Sequence, residues 1–402
     1  MNVRRSAAVL AAIAVIGTTT PAVAAPSPSP SRALPAALYG DNDPRYDGVW
    51  RQSLALLAQD TVGVRPARQA VDWLVDQQCA SGAFAPYRAD TGRPCDAKTP
   101  VDTNQTAAAV QALAALGGHA DVTGKAVAWL KSVQNEDGGW GYTAGGPSDA
   151  NSTSVVIGAL AAAGEKPAEV TKGGRSPYDV LAKLSLPCHE DGAGAVAFQP
   201  GKRGELVPNA DATAAAVLGA LGKGFVTKAG KAPGDQHGCA GSDRLTPQDV
   251  ARNGAAYLSE ETRATGHLTS ALGGGPDQPD HGTTADAVVA LAAQGLTAQA
   301  EKPYAWLEEN SARWAKQSGP AAYAQLVLAA HAMGADPRDF GGTDLVRQLN
   351  ATGPAPAAAE QTEPAEKQDD GSPFGVWWYV GVCLVAGIGI GFLFSGRRRQ
   401  QS

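Results

Sequence analysis

Apolar positions recur along the chain in a twelve-residue pattern that closes on glycine. Five segments align without gaps: 106–117 (TAAAVQALAALG), 153–164 (TSVVIGALAAAG), 213–224 (TAAAVLGALGKG), 284–295 (TADAVVALAAQG) and 323–334 (YAQLVLAAHAMG). A weaker sixth copy is 52–63 (QSLALLAQDTVG). Each is apolar on nearly every face and rich in small residues. Each therefore predicts a helix buried on more than one side, with the glycine as its stop. Between them lie amphipathic segments, 65–78, 123–134, 178–186, 247–262, 304–314 and 337–350, several of which carry a tryptophan (Trp73, Trp129, Trp306). One face of these packs inward and the other meets solvent. Six pairs make twelve helices. Buried and half-exposed helices alternate, with no polar capping repeat at either end, which predicts an all-α closed double ring, an α6/α6 toroid, over residues 46–350. An open solenoid is the rival architecture.

The two ends of the chain have a different character. In residues 1–24, Arg4 and Arg5 precede a short apolar run, and Ala22, Val23 and Ala24 offer small residues for cleavage, the pattern of a signal peptide. Residues 25–45 read as a Pro/Ser-rich leader. Residues 374–395 carry no charge, include Trp377, Trp378 and Tyr379 near their start, and precede Arg397, Arg398 and Arg399 in a 396–402 tail. That is the pattern of a transmembrane helix with the arginines on the cytoplasmic side, and it predicts a single-pass type I protein at the cell membrane with its bulk extracytoplasmic and the lipid bilayer as a partner. Residues 351–373, dominated by Pro, Ala, Glu and Gln, read as a disordered stalk.

Of five cysteines, Cys383 falls in the span. The other four form an even set, read as the disulfides Cys79–Cys95 and Cys188–Cys239. No pair has metal-finger spacing, so no metal is expected. A charged fraction of 18% and a net charge of −6 leave no basic excess to neutralise phosphates, so nucleic acid is not an expected partner.

Residues 134–140 (QNEDGGW) match the Q-x-x-x-G-x-W motif of the prenyltransferase and squalene-cyclase repeat, and 78–84 (QCASGAF) is a second, aromatic-substituted copy. On these residues the chain resembles the α–α toroid superfamily of terpenoid cyclases and prenyltransferases. There the motif ties an outer helix to the next inner one, which implies a structural role for Gln78, Phe84, Gln134, Gly138 and Trp140. The helix starts at 101–108 and 209–213 also look like those of cobalamin carriers of the transcobalamin and intrinsic-factor type. That likeness implies a corrinoid ligand, although the small β domain that covers the corrinoid in those carriers has no counterpart after residue 350.

The chemistries of that superfamily lack their residues here. There is no Asp-x-Asp-Asp acid, no Asp-x-Cys zinc pair and no Cys-Gly-Glu-Gln thioester. What remains is polar decoration at the starts of the inner helices. Two residues before each of four repeats stand Asn104, Asn151, Asp211 and Gly282; four before stand Asp102, Asp149, Asn209 and Asp280, with Gln105, Ser152, Thr283 and Thr284 beside them. Helix capping accounts for much of this. Inner-helix starts that converge on one mouth would also line a polar cup for a ligand. Asp280 and His281 could act as an acid/base pair, but no nucleophile stands beside them in sequence. The expectation is a non-catalytic ring that requires no cofactor and captures a small molecule, a corrinoid among the candidates, or a partner such as a membrane transporter. A divergent terpenoid cyclase or prenyltransferase-like enzyme and an assembly module of a transport complex are the alternatives.

Overall fold

The computed structural model describes residues 34–231, 238–242, 244–270 and 278–358. The expected signal peptide, the transmembrane segment 374–395 and the tail lie outside them, as do Gly273, Gly274, Gly275 and Asp277 of the loop before the fifth repeat. Among the described residues no helix is long and apolar enough to cross a membrane.

The described residues form thirteen α-helices. In chain order they are α1 (Gly48–Thr61), α2 (Arg68–Asp76), α3 (Thr103–Leu116), α4 (Ala120–Ser132), α5 (Ala150–Ala162), α6 (Pro177–Leu184) and α7 (Ala210–Ala220). They continue with α8 (Pro247–Arg263), α9 (His281–Ala293), α10 (Thr297–Asn310), α11 (Ala312–Ser318), α12 (Pro320–Met333) and α13 (Leu345–Asn350). The strands described are two residues each, β1 (Leu268–Thr269) antiparallel to β2 (Pro279–Asp280).

The apolar repeats are α1, α3, α5, α7, α9 and α12. Each packs on the next, and α12 packs back on α1, so the six close a cycle. Their alanines, among them Ala107, Ala109, Ala159, Ala216, Ala290 and Ala329, are fully buried and let neighbouring helix backbones approach closely. Each amphipathic helix lies against the apolar helix it follows: α2 on α1, α4 on α3, α6 on α5, α8 on α7, α10 on α9 and α13 on α12.

Three expected boundaries are corrected. The segment 304–314 is not one helix, because α10 ends at Asn310 and α11 begins at Ala312, with buried Ser311 as the cap between them. Of 337–350 only α13 is helical; before it, Gly341 and Gly342 take positive φ in a turn. The fourth apolar helix stops at Gly222 (φ 65°), not at Gly224. Gly224 instead packs so closely on Gln111 that any Cβ would overlap its side chain.

The fold also runs past 46–350. Leu38 and Tyr39, placed in the leader by the sequence, are buried. Tyr39 N donates to Gln52 Oε1 at 2.9 Å and its hydroxyl donates to Gln59 Oε1 at 3.0 Å, while Gln59 Nε2 donates to Asn350 Oδ1 at 2.6 Å. Gly40 N donates to the carbonyl of Thr352, which the sequence assigned to the stalk, at 2.7 Å. An apolar ring and paired backbone groups explain why these flanks order: both ends of the cycle need cover. Cys79–Cys95 and Cys188–Cys239 are disulfide-bonded, each with a Cα separation of 5.6 Å. Two such bonds suit an oxidising, extracytoplasmic compartment.

Candidate functional site

The repeat's opening threonine faces the layer behind the helix, not the axis. Thr106, Thr153, Thr213 and Thr284 accept at Oγ1 from the backbone N–H of Phe84, Trp140, Val196 and Leu268, at 2.9, 3.1, 2.8 and 3.0 Å. All four are fully buried. They pin each incoming segment to the start of its apolar helix. The two Gln motifs do the same from outside. Gln78 Nε2 donates to the carbonyls of Gly82 and Val122, and Gln134 Nε2 to those of Gly138 and Val170. Phe84 and Trp140 are fully buried, and the Trp140 indole donates to the Leu130 carbonyl at 2.7 Å. At Gly138 (φ 89°) a side chain would collide with the Ser176 carbonyl.

The residues four before the repeat are caps. Asp102, Asp149, Asn209 and Asp280 accept from the backbone N–H of Gln105, Ser152, Ala212 and Thr283 at 2.7 to 2.9 Å. This is why α3, α5, α7 and α9 begin three residues ahead of the apolar pattern. Asp280 is further engaged by the Thr283 hydroxyl at 2.9 Å. Gln105 Nε2 donates to the Tyr46 carbonyl. His281 stacks on Trp314 (5.5 Å, 11°) and tilts against Trp306 at 4.9 Å, and burial pushes its pKa down. Asp102, Gln105, Asp149, Asn209, Asp280, His281 and Thr283 do not line the cavity described next.

Of the residues two before the repeat, all but Gly282 line it. Asn104, Asn151 and Asp211 enclose, with residues from the other apolar helices, a cavity of about 310 Å³ on the axis of the ring. That size lies at the lower end of ligand pockets. Much of the wall is apolar, from Leu54, Val155, Leu218, Val289 and Leu328. The segment after α7 spans the ring: Phe225 N donates to Gln111 Oε1 on α3, while Lys223 Nζ and Gly230 N donate to Ala293 and Ala292 carbonyls on α9. Phe225 itself meets Trp50 edge-on at 5.3 Å.

Sequence reasoning missed the most unusual group in the wall. Asp286 stands two residues after the start of its repeat, on the same face as Asp211 and one turn deeper than Gly282. It lines the cavity. Burial raises its pKa from the usual 3.8 to about 7; the negative charges of Asp211 and Asp280 push the same way, and a long bond from Gln325 Nε2 (3.3 Å to either oxygen) opposes them. Asp211 is also raised by burial, against the pull of Asn151 Nδ2, which donates to it at 2.6 Å. Lys223, whose pKa burial lowers, is the one lysine in the lining described, which includes no arginine. The signal for Asp286, Gln325 and Gln111 was present as polar exceptions inside otherwise apolar repeats.

No family model matches the chain, and no curated protein is similar to it. Among solved structures similar to it is ent-copalyl diphosphate synthase from Streptomyces platensis, at 17% identity and a TM-score of 0.47, covering 71% of this chain. The chain spans about half the length of that protein, 50%. The resemblance to cobalamin carriers finds no support in these comparisons. The expectation of a non-catalytic capture ring is corrected here. The axial cavity is not a plain polar cup but a largely apolar chamber in which burial raises the Asp286 carboxyl to about 7.

Proposed function

We propose that the chain is an α6/α6 toroid enzyme that performs proton-transfer chemistry on a largely apolar substrate in its axial cavity, with Asp286 as the proton donor. The carrying observation is the Asp286 carboxyl, held protonatable near neutrality by a chamber whose wall is mostly hydrocarbon. A general acid is most useful when its pKa lies near the working pH, and an acid in an apolar chamber loses little driving force to water. Asp211, bonded to Asn151, is placed to accept a proton or to bear charge as the reaction proceeds. The terpenoid cyclase-like alternative read from the Q-x-x-x-G-x-W motifs belongs to this class. The Asp-x-Asp-Asp string is absent, so the acid would be supplied by a different position of the ring.

The same proposal places the enzyme outside the cytoplasm, led there by residues 1–24 and tethered by 374–395. The test of the chemistry is incubation of the full chain with polyene and unsaturated alcohol substrates in heavy water. Deuterium incorporated into product, lost in Asp286→Asn and declining as pH rises past about 7, is the expected result. Equal turnover by wild type and Asp286→Asn overturns it. The test of the tether is deletion of residues 374–402, which should release the protein into the medium.

A further inference from the structure

The cavity described above is electrostatically one-sided, and its free hydrogen-bonding atoms are one-sided as well. Asp211 and Asp286 line it, and Asp280 lies close enough to act on both. The single lining cation, Lys223, is turned to the Ala293 carbonyl. Asn151 is fixed in orientation, because its amide nitrogen donates to Asp211; its carbonyl oxygen is buried and has no partner in the protein. The carbonyl oxygen of Asn104 is likewise without one. Ser154, 5% exposed and in the same wall, has an unpartnered hydroxyl. Buried polar atoms in this state take a partner from outside the chain, water or a ligand. Two are acceptors only, so the partner must donate.

Helix starts facing one end of a ring carry partial positive charge, which would favour an anion. Here Asp102, Asp149 and Asp280 already occupy the first N–H groups of three of these helices as caps, so that charge is compensated before it reaches the axis. Aromatic faces complete the set. Trp50 and Phe225 stand in the wall. Carboxylates, carbonyl oxygens and aromatic rings together recognise an ammonium group.

We propose that the axial cavity takes a substrate with a protonated amine at one end and an apolar body, and that it rejects a diphosphate. This rests on the reading of the cavity as a catalytic site and names the substrate class for it. The ammonium meets Asp211 and the carbonyl oxygens of Asn104 and Asn151, and the hydrocarbon fills the space between Leu54, Val155, Leu218 and Leu328. A diphosphate would set several negative charges against Asp211 with no arginine in the described lining to answer them.

Three probes that share one ten-carbon body separate the head groups: geranylamine, geraniol and geranyl diphosphate, titrated calorimetrically into the full chain at pH 7. The expected order is amine about tenfold or more tighter than alcohol, with no binding of the diphosphate. Asp211→Asn should remove most of the amine's advantage while leaving the alcohol's affinity within about twofold. The wild-type ranking decides the matter even if that variant fails to fold. Diphosphate binding as tight as the amine, or amine and alcohol binding alike, overturns the proposal. Deuterium incorporation into the alcohol or the diphosphate under those same outcomes would leave Asp286 as the acid and reject only the ammonium head.

Discussion

Asp286 is the residue on which stability and the proposed chemistry pull in opposite directions. Its folded pKa of about 7 lies above the usual 3.8, so the folded state binds the extra proton. That contribution is complete below about pH 4 and is lost as pH rises through about 7. Asp102, raised by burial to about 6 despite its bonds from Gln105 N–H and Tyr142, adds to the same trend one unit lower. The protein should therefore unfold more easily at pH 8 than at pH 5. Asp286→Asn removes a charge that is poorly solvated at pH 8 and should raise stability there by about 2 kcal/mol, less at pH 5, while abolishing turnover. Thermal melts across that range check it; an Asn variant less stable than wild type at pH 8 would show that the ionised form is well solvated. None of this was legible from single residues. Asp102, Asp149, Asn209 and Asp280 are visible as polar residues at helix starts, and so are Asn104, Asn151 and Asp211. Only the roughly half a helical turn between the two sets tells which of them caps and which faces the axis.

At the scale of elements the sequence was far more informative, because the apolar repeat is a direct record of burial. All six apolar helices and their amphipathic partners were readable from period and glycine stops. What was not readable is where the pairing is irregular. The break at Ser311 and the turn before α13 depend on local packing and on Gly341 and Gly342, and an amphipathic stripe does not report either. The Gln motif gives a sharper expectation. Gln134 Nε2 satisfies two carbonyls, those of Gly138 and Val170, so Gln134→Ala should cost about 2 kcal/mol by leaving both short of a donor. Trp140→Ala, which empties the largest fully buried side chain among the described residues and removes the indole's bond to the Leu130 carbonyl, should cost about 3–5 kcal/mol. Equilibrium urea unfolding measures both. Neither site touches the cavity, so proton transfer by the folded fraction should be unchanged; a loss of turnover without loss of stability would mean that the motif does more than staple the helices.

For the molecule as a whole, closure of the cycle has to be secured where α12 meets α1, since no covalent link joins the last repeat to the first. The seam is built from residues that composition marks as leader and stalk. Tyr39 reaches Gln52 and Gln59 on α1, Gln59 reaches Asn350 on α13, and Thr352 receives Gly40, so one buried tyrosine is tied to both ends of the chain fold. Pro/Ser and Pro/Ala composition hid this, because a single aromatic in a low-complexity stretch carries no period. In an open stack of repeats, end residues fray and their loss is felt only locally. In a closed ring, opening the seam exposes two buried helix faces at once. Tyr39→Ala should therefore destabilise the entire domain by about 3–5 kcal/mol in one cooperative transition, with the axial cavity lost together with the seam. Hydrogen exchange resolved along the chain distinguishes the cases. Uniform loss of protection in α1, α5 and α9 is the expected outcome, whereas loss confined to α1, α12 and α13 would describe a solenoid whose ends happen to touch.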